Sequence, residues 1–250
     1  MRERVFLRIG QKPVIIVSPH GADDTHTATI AKETAKIVDG FAVVNQGFER
    51  AATVDEAKDK ANCNRIDHLN EPVVFDEFLK PLIKYKDIAR AKILGQRLNQ
   101  PHWFSPSTIG TTHRVLIFHI HGAGNIVHQQ ANEPVEVIVG WGLGKKKNSL
   151  TCQEWRKNLF VDSYRQIANE GDVFEASGGS NYAGRSSNNL NQFFRKHQSD
   201  PCVESMQLEF PFSSRTTKKA AVATAAKLAL VIGEVLSRSS YLNQPTPKFI

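Results

Sequence analysis

VIIVSPHGADD, residues Val14–Asp24, is an apolar run that stops abruptly in histidine, glycine and two carboxylates. Four apolar residues ahead of Ser18-Pro19 read as a strand buried in a sheet. His20 and Asp23 stand in H-x-x-D spacing just past its end, where a tight turn lets both reach one cation. Open α/β sheets hold their ligands at that end of a strand. A second apolar run, Val115–Phe118, finishes in His119-Ile120-His121. Two strand ends therefore bring histidines and a carboxylate together, a donor set suited to catalytic zinc with water in the fourth position.

Further strands are expected at Phe41–Val44, Val135–Val139, Val173–Phe174 and Met206–Phe210. Helices are expected between them. Ala28, Ala31, Ala35 and Val38 recur at helical spacing, and Gly40 is a natural stop. Glu71–Leu94 carries Phe75, Phe78, Leu79 and Leu82 on one side, with Pro81 placed to kink or split it. Ser149–Asn169 reads as a third helix, with Thr151 as cap and Glu154 three residues on. Thr216–Ser237 is the clearest long helix. Strands alternating with helices predict an α/β protein, a three-layer α/β/α domain around a mostly parallel or mixed sheet. The strands lack polar alternation, as expected when helices cover both faces. No Pro/Gly-rich linker divides the chain, so residues 1–250 are expected to form one domain. Ser177–Asn191 is polar and glycine-rich and reads as a loop near a site or an exposed connection. The tail 242–250 holds two prolines.

The chain has 250 residues, 40% hydrophobic and 23% charged, which fits a soluble globular protein. Its apolar runs fall short of the ~18 residues of a membrane span, and the basic N-terminus lacks a secretory apolar core. Cys63, Cys152 and Cys202 form no C-x-x-C unit, so reduced thiols and a cytoplasmic location are expected. The net charge of +7 draws anions. Lys145-Lys146-Lys147 and Lys218-Lys219 carry no interleaved aromatics, so a small anionic substrate is expected rather than nucleic acid. Oligomeric state is not legible.

Of the two strand-end histidines, His121 is the favoured ligand because Gly122 permits a sharp turn there. His119 is a supporting donor or an alternative ligand, and Asp24 and His26 are similarly open. Glu209 lies inside the apolar strand of SMQLEFPFSSR, where a carboxylate is costly unless paired or functional. Either it pairs with Arg215 or another base, or it faces the reacting water with its pKa raised by burial, as a general acid-base needs. Asn64-Arg65, after DEAKDKANC, suits a substrate carboxylate, since arginine offers two parallel hydrogen bonds. Arg185 is a second candidate, with Arg114 and Arg215 competing. Neither a G-x-S-x-G elbow nor a complete phosphate-binding loop is present, which argues against a serine hydrolase or a nucleotide enzyme.

Taken together, from SPHGADDT to QLEFPFSSR, the pattern resembles the N-formylglutamate amidohydrolase family, relatives of the zinc carboxypeptidases. The resemblance implies a zinc-carboxypeptidase-like fold and a Zn2+ ion held by His20, Asp23 and His121. It matches Asn64 and Arg65 to the substrate-carboxylate pair, Glu209 to the late catalytic glutamate, and Gly178-Gly179 with Arg185 to the glycine pair and nearby arginine. Relatives often carry aspartate two residues before the late histidine, where this chain has His119. The expected reaction is metal-dependent hydrolysis of the amide bond in an N-formyl or N-acyl amino acid. The competing expectation is a non-catalytic small-anion-binding or scaffold protein that keeps the fold.

Overall fold

The computed structural model describes residues 3–98, 114–126, 134–144, 149–168, 172–176 and 180–241. Lys145-Lys146-Lys147, Gly178-Gly179 and the tail 242–250 lie outside the described residues. Seven strands form one sheet: β1 Val5–Arg8, β2 Val14–Ser18, β3 Phe41–Asn45, β4 Val115–Ala123, β5 Val135–Gly140, β6 Asp172–Ala176 and β7 Val203–Pro211. Their spatial order is β1-β3-β2-β4-β7-β5-β6. β3, β2, β4 and β7 run parallel. β1 is antiparallel to β3, and β5 is antiparallel to β7 and parallel to β6. The expected mixed α/β sheet is therefore present, with its longest pairing between β4 and β7.

Side chains alternate across a strand, so each strand feeds two layers. On one face, Val14, Ile16, Leu116, Phe118, Ile120, Met206, Leu208 and Phe210 meet α1 (Thr27–Ile37), α5 (Glu154–Ile167) and α6 (Lys218–Tyr241). On the other, Ile15, Val17, Val115, Ile117 and Val203 meet α2 (Ile66–Leu69), α3 (Pro72–Val74) and α4 (Lys80–Leu98). Each fully buried aliphatic side chain contributes roughly 1.5–3 kcal/mol against exposure. The second face changes character along β4 and β7. Val115 and Ile117 give way to His119 and His121; Val203 gives way to Ser205, Gln207 and Glu209. Apolar cover ends there and the candidate site begins.

Several local expectations are corrected. α1 ends in a Schellman motif: Gly40 N–H donates to Ala35 O at 2.8 Å and Asp39 N–H to Lys36 O at 3.4 Å. The left-handed residue is Asp39, with φ 53°, and Gly40 follows it. The segment starting at Pro72 contains a π-helical turn, Phe75–Leu79, immediately before α4. Pro81 has no N–H for the carbonyl four residues back, and a wider turn accommodates that loss. Thr151 does not cap α5; Gln153 occupies that position. The Thr151 hydroxyl donates instead to Ser205 O at 2.8 Å, tying the helix entry to β7. By length and composition, Lys218–Arg238 is apolar enough to cross a membrane, contrary to the expectation that no run reaches that length. Here its Ala221, Ala225, Leu228, Val231, Ile232 and Val235 are part of the core. The three cysteines are free thiols, with Cys63 and Cys152 buried.

Candidate active site at the parallel strand ends

β4 does not stop at Phe118 but runs on through His119, Ile120 and His121 to Ala123. Each histidine has a cross-strand neighbour on β7: His119 faces Gln207 and His121 faces Glu209. His20 enters from the turn after β2, and its ring lies 5.3 Å from that of His121, centroid to centroid, in an edge-on arrangement. Gly21 is required in that turn, because a Cβ there would stand 2.3 Å from Asn45 O. Asn45 secures the same turn by donating to Pro19 O at 2.9 Å. His20 Nδ1, His121 Nε2 and both ring nitrogens of His119 are buried without a hydrogen-bond partner among the described residues. Buried polar atoms are rarely left unpaired, so these nitrogens point to something that binds there.

The two acids of the H-x-x-D-D sequence take up one arginine. Asp23 Oδ2 accepts the Arg50 backbone N–H at 2.8 Å, and Asp24 Oδ1 accepts from the Arg50 guanidinium at 2.5 Å. Asp24 Oδ2 takes the N–H of Gly122 at 3.0 Å, which clips the turn after β2 onto the residue following His121. Asp23 is exposed. Among the described residues, no three His, Cys, Asp or Glu side chains are gathered as a metal-ligand group. What the fold assembles is the His20–His121 pair beside Glu209, within reach of the charge of Arg50, whose guanidinium is held by Asp24. Arg215 does not pair with Glu209. Its guanidinium donates to three carbonyls, Phe210 O at 3.0 Å, Thr25 O at 2.9 Å and Ala123 O at 2.9 Å.

Burial sets the protonation of the site. It pushes His20 down to about 3, with Arg50 adding repulsion. It pushes His119 to about 3 as well. His121 falls well below its ordinary value, through burial and then the neighbouring His20, His119 and Arg50. All three imidazoles are therefore neutral at neutral pH, the form that ligates metal. Burial raises Glu209 to about 8, and Asp24 adds to the rise. The Gln207 hydrogen bond, Arg50 and Arg215 pull against it.

These shifts predict a stability optimum for metal-free protein. Unfolded histidines take up protons below about 6.5, whereas the folded ones resist to about 3, so stability falls as pH drops through that window. Folded Glu209 keeps its proton up to about 8 while the unfolded side chain loses it near 4.5, so stability falls as pH rises between them. Three protons oppose one below 6.5, which leaves the maximum near that pH. Urea midpoints measured in chelator at pH 5, 6.5 and 8 check this; a steady rise to pH 8 would contradict it.

No protein-family model and no curated protein matches the sequence. Solved structures do. A carboxypeptidase A candidate from Shewanella denitrificans OS-217 superposes with TM-score 0.52 at 10% identity, covering 94% of this chain and 61% of that one. A metallo-carboxypeptidase from Burkholderia cenocepacia gives 0.50 at 12% identity, covering 91% and 57%. The chain has the metallo-carboxypeptidase fold. It spans about three fifths of the length of those two proteins. An N-formylglutamate amidohydrolase from Ralstonia eutropha JMP134 superposes with TM-score 0.49 at 13% identity, covering 96% and 98%.

Within that fold, two of the remaining sequence candidates, Arg65 and Arg114, are already engaged. Arg65 is half-buried, pairs with Asp67 through both carboxylate oxygens and donates to Ala52 O at 3.3 Å. Asn64 leaves its side-chain Oδ1 buried and unpartnered among the described residues. Arg185 is exposed beyond the left-handed Gly184. Arg114 pairs with the buried Glu204 at 3.0 Å. Arg50 is the residue that sequence reasoning missed. Its charge acts on His20, His121 and Glu209 together.

Proposed function

We propose that this protein hydrolyses the amide bond of an N-formyl or N-acyl amino acid, or a related small carboxylate, with a zinc ion and Glu209 as general base and acid. The observation that carries the reading is the juxtaposition of two neutral, buried imidazoles with partnerless ring nitrogens and a buried glutamate in register with one of them. The two imidazoles suit zinc, with His20 and His121 supplying nitrogen; Asp23, exposed and with its Oδ2 on the Arg50 N–H, is not gathered with them and would have to turn inward to add an oxygen. When bound, the ion polarises an amide carbonyl and acidifies water.

The chain's own groups do the rest. Glu209 takes the proton of the attacking water and returns it to the leaving amine, which a carboxylate with a raised pKa does well near neutral pH. Arg50, whose charge already acts on the histidines, offsets negative charge that develops on the carbonyl oxygen. Asn64 has an unused buried acceptor for a substrate N–H. Arg65 binds the substrate carboxylate in competition with Asp67, and Arg185, which is exposed, is the second cation for it.

Metal analysis of the purified protein, followed by chelation and restoration on a panel of N-formyl and N-acyl amino acids, tests the proposal. Stoichiometric zinc and chelator-sensitive turnover are the expected results. An absence of both favours the non-catalytic anion-binding reading. His121→Ala should reduce zinc affinity at least ~10-fold, since it removes one of the two imidazoles that the fold brings together. Titration with zinc alone reads that out, independently of any substrate.

A further inference from the structure

Glu209 is held by a neighbour on its own strand. Gln207 lies two residues earlier on the same face of β7 and donates from Nε2 to Glu209 Oε1 at 2.8 Å, with both side chains buried. The same nitrogen reaches Tyr182 O at 3.5 Å, and Gln207 Oε1 accepts from Asn189 Nδ2 at 3.2 Å. These partners fix which way the amide faces. Turned over, it would set its oxygen against a carboxylate and a carbonyl, and its NH2 against another NH2.

Asn189 is itself fixed. Its Oδ1 accepts the Asn191 N–H at 2.8 Å, and its own N–H donates to Ser186 O at 3.0 Å. The backbone on either side is laced to the Asn64-Arg65 segment. Leu190 N–H donates to Asn64 O at 3.0 Å, Ile66 N–H donates to Asn188 O at 3.0 Å, and Arg65 and Asn189 pair as an isolated antiparallel bridge. The Asn64-Arg65 segment is thus bonded to the backbone of Asn188 and Leu190, and from Asn189 between them hydrogen bonds run through Gln207 to Glu209.

We infer that Gln207 is a positioning residue for Glu209, and that Asn189 couples the placement of Glu209 to the segment carrying Asn64 and Arg65. The inference rests on the hydrolase reading for its kinetic consequence. Its structural content stands apart from it: without the Gln207 donor, the Glu209 carboxylate leaves its place opposite His121.

The test is a double-mutant cycle with crystal structures. Gln207→Met keeps the volume and removes the donor. It should lower kcat at least ~10-fold with KM changed by less than ~2-fold, because the lost hydrogen bond holds Glu209 and not the substrate. In the Glu209→Gln background the same substitution should cause no further loss, since its effect acts through Glu209. A loss of equal size in both backgrounds would mean a general structural role and overturn the inference. In crystals of Gln207→Met the Glu209 carboxylate should be rotated away from its wild-type position; finding it unmoved overturns the inference too. If wild-type protein hydrolyses nothing, the hydrolase reading falls and the crystal comparison alone decides the positioning role. Should Gln207→Met fail to fold, Asn189→Leu, at a half-buried position one bond further out, takes its place with the same kinetic pattern and the same carboxylate displacement expected.

Discussion

Glu209→Gln should lower the turnover of a chelator-sensitive substrate by ~100-fold or more while leaving zinc content unchanged. The substitution keeps the shape of the side chain. It also keeps an oxygen to accept the Gln207 N–H that now reaches Glu209 at 2.8 Å. What it removes is proton affinity: a carboxamide cannot take a proton from water or return it to an amine. Burial places Glu209 among groups that resist its ionisation, at about 8, and Arg50 and Arg215 hold it from rising further. A bound cation would lower that value, since a nearby positive charge favours the carboxylate. Elemental analysis of the variant and kcat at saturating substrate make the measurement. Undiminished turnover with normal zinc would remove Glu209 from proton transfer, and the raised pKa would then record burial alone.

Much of the fold was legible because its information is local. Runs such as Val14–Val17 and Phe41–Val44 are apolar on both faces, which is what strands sandwiched between helices require. β1 was missed because Val5–Arg8 is a short edge strand with half its residues partly exposed, flanked by charged residues. The length of β4 was underestimated for a related reason. The apolar run ends at Phe118 while the strand continues, since the outer positions have exchanged aliphatic side chains for imidazoles. Polar residues inside a buried strand were the useful signal for Glu209. The same signal marked Gln207, two residues earlier, and was not followed. Arg50 was beyond reach. It sits in a loop after β3, and only the tertiary contacts of its backbone with Asp23 and its side chain with Asp24 bring it to the histidines. The role of Arg215 stayed open because a sequence shows its charge but not the three carbonyls that surround it.

Gly122→Ala should destabilise the protein by about 3 kcal/mol or more, combining overpacking with disturbed charged hydrogen bonds. A Cβ at position 122 would lie 2.4 Å from Arg215 Cζ, 2.5 Å from Nη2 and 2.8 Å from Nε. The far end of an arginine is usually free to retreat, but this one is not. It bridges Phe210 O, Thr25 O and Ala123 O, and so joins the ends of β4 and β7 to the turn ahead of α1. Retreat would strand those carbonyls; staying would push β4 away from Asp24, whose Oδ2 holds the Gly122 N–H. Urea denaturation of metal-free protein measures the loss. Arg215→Met supplies the control: it is itself destabilising, because it leaves carbonyls unpartnered, yet it opens the space a methyl group needs. In that background Gly122→Ala should cost less than half of what it costs in the wild-type chain. Equal costs in the two backgrounds would mean that the guanidinium is not what forbids a side chain at Gly122. If the costs differ as expected, the glycine after His121 serves to admit an arginine clamp behind the candidate site, and not to turn the chain.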